Sequence, residues 1–330
     1  MKQIVYYFVV LFAFTSCFEE DVKVEPHEPG DLTTAMVEMA ETYKYQVYFD
    51  LETSTSISQN IISEWDLGFE TADSGWHIFL NTSKMMLAGN SMNTGFNTVT
   101  SSSGLAMNFD PSTGNRDSTA IGNWYDQAED LPVSKGYVYV IDRGTDENSN
   151  SVGLKKVVFD ILENKDYQIR FADLDGSNEQ TAIIPKDTSV NFVCFSFDNG
   201  IVDIEPNKKD WDLQFTKYST LLFTDAGEPY PYLVAGVLLN PYKVIACADT
   251  LHTFPEITLE EAEGLSLTTR KDVIGYDWKD YGFTSERYTV DVNKVYVIRD
   301  IAGYYYQLRF IGFYNSTGEK GFPTFEYVRL

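Results

Sequence analysis

One five-residue phrase occurs twice in this chain and constrains its fold more than any other feature. The residues Trp-Asp-Leu-Gly-Phe at 65–69 return as Trp-Asp-Leu-Gln-Phe at 211–215, which is 146 positions later. Three more blocks follow each copy in the same order: Ile121–Tyr125 matches Ile274–Trp278, Tyr137–Ile141 matches Lys294–Ile298, and Tyr167–Phe171 matches Tyr306–Phe310. Four matched blocks in matched order indicate a tandem duplication, so function becomes a question about the repeated unit.

The segments around these blocks carry the pattern of β-strands. Apolar and polar side chains alternate along residues 43–51, and this period of two is typical of a sheet with one face on the core. Residues Leu259–Glu263 are the one predicted helix, because Thr258 and Glu261 form the capping-box pattern at its start. We therefore predict an all-β fold of two tandem β-rich domains, with mainly antiparallel sheet and little helix.

The repeat also predicts the domain limits. The first domain is expected at residues 35–176 and the second at 191–330, joined by a linker at 177–190. A hairpin turn is expected at Asp198–Gly200. At 330 residues the chain is long enough for two domains that each bury a core.

The N-terminus has the pattern of a targeting segment. After Lys2, the apolar run from Ile4 to Phe14 is too short to span a bilayer, and it ends at small residues and Cys17. This ending resembles the lipobox of bacterial lipoproteins, so residues 1–17 are predicted to be a signal whose Cys17 is lipidated; the alternative is a cleaved secretory signal with an incidental cysteine. Residues 18–34 are predicted to be an acidic tether, and their first acids resemble the surface-export signal of Bacteroidota lipoproteins. These features predict a lipid-anchored outer-membrane protein exposed at the cell surface.

Charge and cysteine content exclude several classes of partner. The net charge of −24, from 25 basic and 49 acidic side chains, predicts repulsion from nucleic acid and from anionic lipid surfaces. Membrane attachment is therefore expected from the acyl chains of the lipid anchor alone. Beyond Cys17 only Cys194 and Cys247 remain, and they form either a disulfide or two buried free thiols. The chain has no zinc-site pattern.

Enzyme motifs are missing from the sequence. There is no GxSxG, HExxH, P-loop or dinucleotide-binding glycine pattern. Asp66 and Asp212 recur with the repeat, and paired carboxylates can serve a glycosidase. Each lies between core aromatics inside a strand phrase, which favours hydrogen bonding to a neighbouring loop instead. We expect a protein without catalytic activity.

The order of motifs resembles one known family. Trp-Asp-Leu-x-Phe, an aromatic Tyr-Val-Ile strand, Tyr-Gln-Leu-Arg-Phe at 306–310 and Gly-Glu-Lys-Gly-Phe-Pro-x-Phe at 318–325 together resemble the HmuY-like surface lipoproteins of Bacteroidota. The resemblance covers residues 40–175 and 190–330. It implies a β-rich surface lipoprotein and, for the founding members, haem capture that feeds a TonB-dependent outer-membrane receptor. Those members hold the haem iron between two axial side chains, His–His in some and Met in others.

Few side chains in this sequence suit haem iron, which takes neutral imidazole or thioether donors. Each unit has one histidine, His77 in the first and His252 in the second, so a bis-histidine site inside one unit is excluded; His27 lies in the tether. The candidate ligands in the first unit are Met85, Met86, Met92 and His77, and in the second unit His252. The competing interpretation is that the histidines hydrogen-bond locally and that the methionines fill irregular gaps in the core.

The sequence supports two hypotheses about function. The first is a haemophore-like lipoprotein that binds haem or a related porphyrin for iron acquisition, with a TonB-dependent receptor as partner. The alternative is an accessory lipoprotein of a surface complex that does not bind haem. It would instead contact other proteins of the complex or bind another small molecule. The two differ in whether donor side chains converge on a porphyrin-sized cleft.

Overall fold

The computed structural model describes residues 30–128 and 131–330. The predicted signal with Cys17, His27 and the tether up to residue 29 lie outside the described residues. Strands make up 45% of the structure and helical residues 5%, which confirms the all-β prediction. In the described part of the chain no helix is long and apolar enough to cross a bilayer.

The described residues form twenty-two strands and one α-helix, α1 (Leu259–Glu263), with short 3-10 turns at Thr82–Lys84, Phe96–Thr98 and Arg116–Ser118. The strands are β1 (Thr33–Met36), β2 (Tyr45–Asp50), β3 (Thr55–Ile61), β4 (Leu67–Glu70), β5 (Ile78–Leu80), β6 (Leu87–Asn90), β7 (Tyr125–Ala128), β8 (Leu131–Ser134), β9 (Val138–Asp142), β10 (Leu154–Leu162), β11 (Asp166–Ala172), β12 (Gln180–Ile184), β13 (Phe192–Ser196), β14 (Gly200–Val202), β15 (Leu213–Phe223), β16 (Pro229–Leu239), β17 (Ile245–Asp249), β18 (Lys279–Gly282), β19 (Arg287–Val290), β20 (Val295–Arg299), β21 (Tyr305–Tyr314) and β22 (Lys320–Arg329).

The strands form four larger sheets and two small hairpins, and all the pairings are antiparallel. The sheet orders are β1-β22-β21-β20-β17, β12-β11-β10-β9-β6, β14-β13-β4-β5 and β16-β15-β2-β3, with β7-β8 and β18-β19 as separate pairs. Strand β12 lies inside the segment predicted as a linker and pairs with β11.

The hairpin that precedes each copy of the phrase pairs with the other copy. Strand β2, which comes before the first copy, places Phe49 opposite Leu213 of β15. Strand β13, which comes before the second copy, places Phe195 opposite Leu67 of β4. These four residues are related by the same spacing as the phrase itself, so the exchange of hairpins is reciprocal. The pairing crosses the predicted limits of 35–176 and 191–330, which stay a prediction.

The aspartate of each phrase stabilises the pairing of that phrase with the hairpin from the other half of the chain. The Asp66 carboxylate accepts a hydrogen bond from the backbone N–H of Phe197 at 2.9 Å, and Asp212 accepts one from Leu51 at 2.9 Å. Leu51 and Phe197 are again equivalent positions in the repeat. A buried asparagine completes each arrangement: the side-chain N–H groups of Asn81 and Asn240 donate to the carbonyls of Trp65 and Trp211. The predicted structural role of both aspartates is confirmed.

Two hydrophobic cores result from the exchange. The first core draws on residues 67–197, and the second on residues 37–51 together with 213–327. Trp65 and Trp211 pack with Tyr48 and Cys194 in a smaller cluster of their own. Each core therefore contains side chains from both halves of the sequence.

Several local predictions are confirmed. Helix α1 has the predicted bounds, and the Thr258 hydroxyl and the Glu261 carboxylate form a reciprocal capping box. The hairpin at Asp198–Gly200 joins β13 to β14, with Ser196 opposite Gly200. Cys194 and Cys247 are free thiols, which decides between the two predicted alternatives. Gly122 and Gly275 of the second matched block both adopt left-handed φ angles, of 61° and 63°, which glycine reaches without steric cost.

Candidate functional site

One candidate site surrounds His77, in the segment between β4 and β5. Glu70, the last residue of β4, has a buried carboxylate that lies 2.6 Å from His77 Nδ1. The same carboxylate accepts a hydrogen bond from the His77 backbone N–H at 3.2 Å. His77 is therefore held by one residue of the neighbouring strand, through its ring and through its backbone.

The charge on Glu70 decides the tautomer of His77. Burial raises the pKa of the Glu70 carboxyl, but the His77 hydrogen bonds and the Arg116 guanidinium outweigh burial and hold the pKa below its usual value. An ionised carboxylate only accepts hydrogen bonds, so His77 Nδ1 carries the proton. The lone pair of the neutral ring is then on Nε2, which has no hydrogen-bond partner among the described residues. This carboxylate–imidazole arrangement is the one that metal-binding histidines use.

Arg116 comes to this site on a loop that Asp110 holds in place. The Asp110 carboxylate accepts hydrogen bonds from the backbone N–H groups of Leu80 and Ala120, both at 2.7 Å, and so ties the two ends of the loop to β5. Arg116 Nε then lies 3.1 Å from Glu70 Oε1, and about half of the Arg116 side chain is exposed. A cation is thereby available at the mouth of the site.

An open cavity of about 280 Å³ adjoins His77. Its lining is formed by His77, Arg116, Asp117, Gly122, Asn123 and Tyr125. Gly122, Asn123 and Tyr125 belong to the matched block at 121–125, so one repeated block forms a wall of the site. Ligand cavities in proteins usually have volumes of about 300–1,000 Å³. The cavity beside His77 lies just below this range.

Two side chains clamp the backbone on the far side of the site. The buried Tyr167 hydroxyl donates to the Glu70 carbonyl at 2.9 Å. Lys186 Nζ donates to the carbonyls of Ala72 and Gly75 at 2.8 and 2.5 Å and lies 3.7 Å from the centroid of the Trp76 ring. The turn that carries His77 is thus fixed before any ligand arrives.

His252 also lies beside a buried carboxylate. Its Nδ1 atom is 3.0 Å from the buried Asp249 carboxylate, and its Nε2 atom is 3.9 Å from Glu261 Oε1. Both ring nitrogens therefore face carboxylates, whereas only one does at His77. The side chains of the two histidines are exposed to similar extents, 23% for His252 and 27% for His77.

The three methionine candidates lie in different environments. Met86 is 1% exposed and belongs to the first core, whereas Met92 is 67% exposed. Met85 adopts a left-handed conformation with φ of 59° at the end of the short 3-10 turn at Thr82–Lys84. None of these methionines lines the cavity beside His77. Their role as haem ligands stays a prediction.

Sequence reasoning found His77 but missed its partners Glu70 and Arg116. Glu70 directly follows the first phrase, and the chain between it and His77 includes a turn, so strand alternation does not relate the two side chains. Arg116 lies in a polar loop without periodic pattern. The one local signal is an acidic residue at the end of β4 followed by a histidine just before β5.

No group of three or more His, Cys, Asp or Glu side chains within residues 30–128 and 131–330 has the arrangement of a metal site. The structure therefore offers single imidazoles rather than a cluster of protein ligands.

Comparison with known proteins identifies the family. The family model described as HmuY protein matches residues 42–327 as one span. No curated protein shows significant similarity to this chain. Among solved structures, apo PinO from Porphyromonas gingivitis is 12% identical, with a TM-score of 0.28 and coverage of 90% of this chain and 96% of that one. The apo HmuY analog of Tannerella forsythia is 13% identical, with a TM-score of 0.27 and coverage of 92% and 98%. The match of the family model over most of the chain shows that this protein belongs to the HmuY family.

Proposed function

We propose that this protein binds haem or a related porphyrin and serves iron acquisition as a lipid-anchored protein of the outer-membrane surface. Family membership supports the ligand class, and the sequence before residue 30 supports the anchor at Cys17. The proposed partner after haem capture is a TonB-dependent outer-membrane receptor. The proposed role is binding and transfer, without catalysis.

The observation that carries this proposal is the free Nε2 atom of His77 at an open cavity. Glu70 orients the ring through Nδ1 and leaves Nε2 as the nitrogen that could bind haem iron as an axial ligand. Arg116 supplies a positive charge beside it, suited to a propionate. When bound, haem would supply the iron to be transported.

The test is a haemin titration of variants of the soluble chain without residues 1–17. His77→Ala is expected to weaken haemin binding and to shift the Soret band away from that of a histidine-ligated haem. Glu70→Gln is expected to weaken binding by roughly 10–100-fold, since it removes the charge that orients the imidazole. His252→Ala is the matched control and is expected to leave the spectrum unchanged.

A titration in which His77→Ala and the unaltered chain behave alike would remove His77 from the site. The methionine prediction is tested in the same way with Met85→Leu and Met92→Leu, which preserve side-chain size. Met86→Leu is the less informative change, because Met86 packs in the first core.

The accessory-protein alternative has one observation in its favour. The cavity beside His77 is lined by no second imidazole or thioether in the described part of the chain. Haem binding there then requires either a single axial protein ligand or closure of a nearby segment. Absence of haemin binding in both oxidation states would favour the alternative.

A further inference from the structure

The hairpin of β15 and β16 is much longer than its counterpart in the first repeat. Strands β4 and β5 pair over three residues, Leu67–Phe69 with Ile78–Leu80. Strands β15 and β16 pair over eleven, from Leu213 opposite Leu239 to Phe223 opposite Pro229. The first repeat shows that the fold needs only the short form. The additional residues require another explanation.

Only the part of this hairpin nearest the core is buried. Leu213 and Phe215 pack in the second core with Val237 and Leu239. Beyond them, the Ser219 hydroxyl donates to the Thr82 carbonyl at 2.9 Å, which fastens the hairpin to the first repeat. The segment 220–232 continues past Ser219, and most of its side chains are open to solvent.

The exposed end of the hairpin is apolar and aromatic. Phe223 is 66% exposed, Tyr232 52%, Leu221 48% and Tyr230 38%. Both faces of the hairpin take part, because Leu221 and Phe223 alternate along β15 with the residues that pair with Tyr230 and Tyr232. Exposed apolar side chains on both faces of one hairpin mark a surface that another molecule covers.

A second hairpin adds two aromatic rings. Strand β18 is tied to β16, since Lys279 Nζ donates to the Ala235 carbonyl at 2.5 Å. Phe283 in the turn between β18 and β19 is 89% exposed, and Tyr281 is 41% exposed. The Tyr281 ring lies 5.5 Å from that of Phe283. We call the six residues Leu221, Phe223, Tyr230, Tyr232, Tyr281 and Phe283 the hairpin surface.

The charges on the exposed ends of both hairpins are negative. Residues 218–232 contain Asp225 and Glu228 and no lysine or arginine, and residues 280–286 contain Asp280 and Glu286, again without a basic side chain. The next residue, Arg287, has its guanidinium 4.8 Å from the centroid of the Tyr314 ring. A second copy of this chain, with its own net charge of −24, would be repelled by this surface, as would an anionic membrane. The acidic side chains of both hairpin ends therefore favour a cationic occupant.

We propose that the hairpin surface docks a partner protein whose contact face carries exposed arginine or lysine side chains. Guanidinium and ammonium groups bind to the faces of tyrosine and phenylalanine rings and pair with carboxylates at the rim. Tyrosine, phenylalanine and arginine are enriched at the centres of protein interfaces. The proposal is independent of the haem site, since it uses none of the residues around His77.

The experiment places a photo-crosslinking residue at the hairpin surface of the full chain, in cells that produce it. Phe223→p-benzoylphenylalanine is the test variant. Leu251→p-benzoylphenylalanine is the control, because Leu251 is 78% exposed and lies outside the hairpin surface. The expected result is one protein crosslinked from position 223 and not from position 251. That protein is then purified and its binding to the unaltered chain measured.

Two further measurements decide the chemistry. Binding is expected to weaken at least tenfold in the double variant Phe223→Ser and Tyr232→Ser, while Leu251→Ser binds normally. It is also expected to weaken as NaCl rises from about 50 to 500 mM, because the contact is between opposite charges. Melting temperatures of the variants establish that they remain folded.

Three outcomes would overturn the proposal. They are a crosslink that forms equally from position 251, no crosslink from position 223, and a partner whose binding is unaffected by the double variant or by salt. Binding of the purified chain to phosphatidylglycerol vesicles that is lost in the double variant would assign the hairpin surface to a membrane instead.

Discussion

At the scale of single residues, the two aspartates of the repeated phrase have different charged neighbours although the sequences around them are almost the same. Asp66 forms buried ion pairs with Lys84 and with Arg143, whose guanidinium lies 2.9 Å from the carboxylate. Asp212 has no cation beside it among the described residues. Burial is the main reason that the pKa of Asp212 is raised to about 8; the nearby charges of Asp300 and Asp50 also raise it, while the hydrogen bond from Leu51 lowers it.

This difference predicts how stability depends on pH. The folded state binds a proton at Asp212 that the unfolded state, with a carboxyl pKa of 3.8, has lost. The free energy of unfolding therefore falls as pH rises between about 4 and 8, by up to about 1.4 kcal/mol per pH unit from this group. Burial also raises the pKa of Glu205 to about 7 and of Asp110 to about 6, so both act in the same direction.

The variant Asp212→Asn tests this explanation. It is expected to reduce the decline of the free energy of unfolding with pH and to raise that free energy at pH 7, measured by urea unfolding at pH 5, 6, 7 and 8. Equal slopes of unfolding free energy against pH for the variant and the unaltered chain would contradict this explanation.

The equivalent change in the first phrase should have the opposite effect. Asp66→Asn leaves the buried Lys84 and Arg143 without their shared partner. Removing one member of a buried ion pair costs about 3–5 kcal/mol. We expect a loss of this size at pH 7 in the same urea experiment. A variant as stable as the unaltered chain would show that Asp198, which also contacts Arg143 at 2.6 Å, is sufficient compensation.

At the scale of elements, the reciprocal pairing of hairpins has a direct consequence. A fragment of residues 35–176 contains β2 and β4 with their neighbours β3 and β5, but it lacks β15 and β13, their partners from the other half of the chain. A fragment of residues 191–330 contains only the other member of each pair. We expect each fragment alone to lack cooperative unfolding and a mixture of the two to recover it, followed by near-ultraviolet circular dichroism. Cooperative unfolding of either fragment by itself would contradict the importance of the exchange.

The sequence predicted the strands, the helix and its capping box, because these depend on the local periodicity of apolar residues and on local hydrogen bonding. The sequence could not predict that each hairpin pairs with the other copy of the phrase. Phe49 and Phe195 precede almost identical phrases, so the local preferences for pairing with Leu67 or Leu213 are the same. The course of the intervening chain determines the copy of the phrase with which each hairpin pairs.

The candidate site was predictable to the same partial extent. His77 stood out because histidine is rare in this sequence, whereas Glu70 and Arg116 reach it through a turn and a loop of no regular period. The burial of Met86 could not be read from alternation. The 3-10 turn at Thr82–Lys84 and the left-handed Met85 separate β5 from β6, so the faces of β6 cannot be projected from those of β5.

At the scale of the whole molecule, the settings of the two described histidines differ. His77 faces an open cavity with one nitrogen free of any described partner, while His252 lies between two carboxylates. The duplication therefore does not require two equivalent haem sites. We expect one haem per chain, bound in the first repeat.

The most direct measurement is a haemin titration of the chain that lacks residues 1–17 and carries no substitution, following the Soret band in the ferric and the ferrous state. We predict a shifted band that saturates at one haemin per chain. A band that saturates at two would show that both repeats bind. The absence of any shift in both oxidation states would contradict the proposed function.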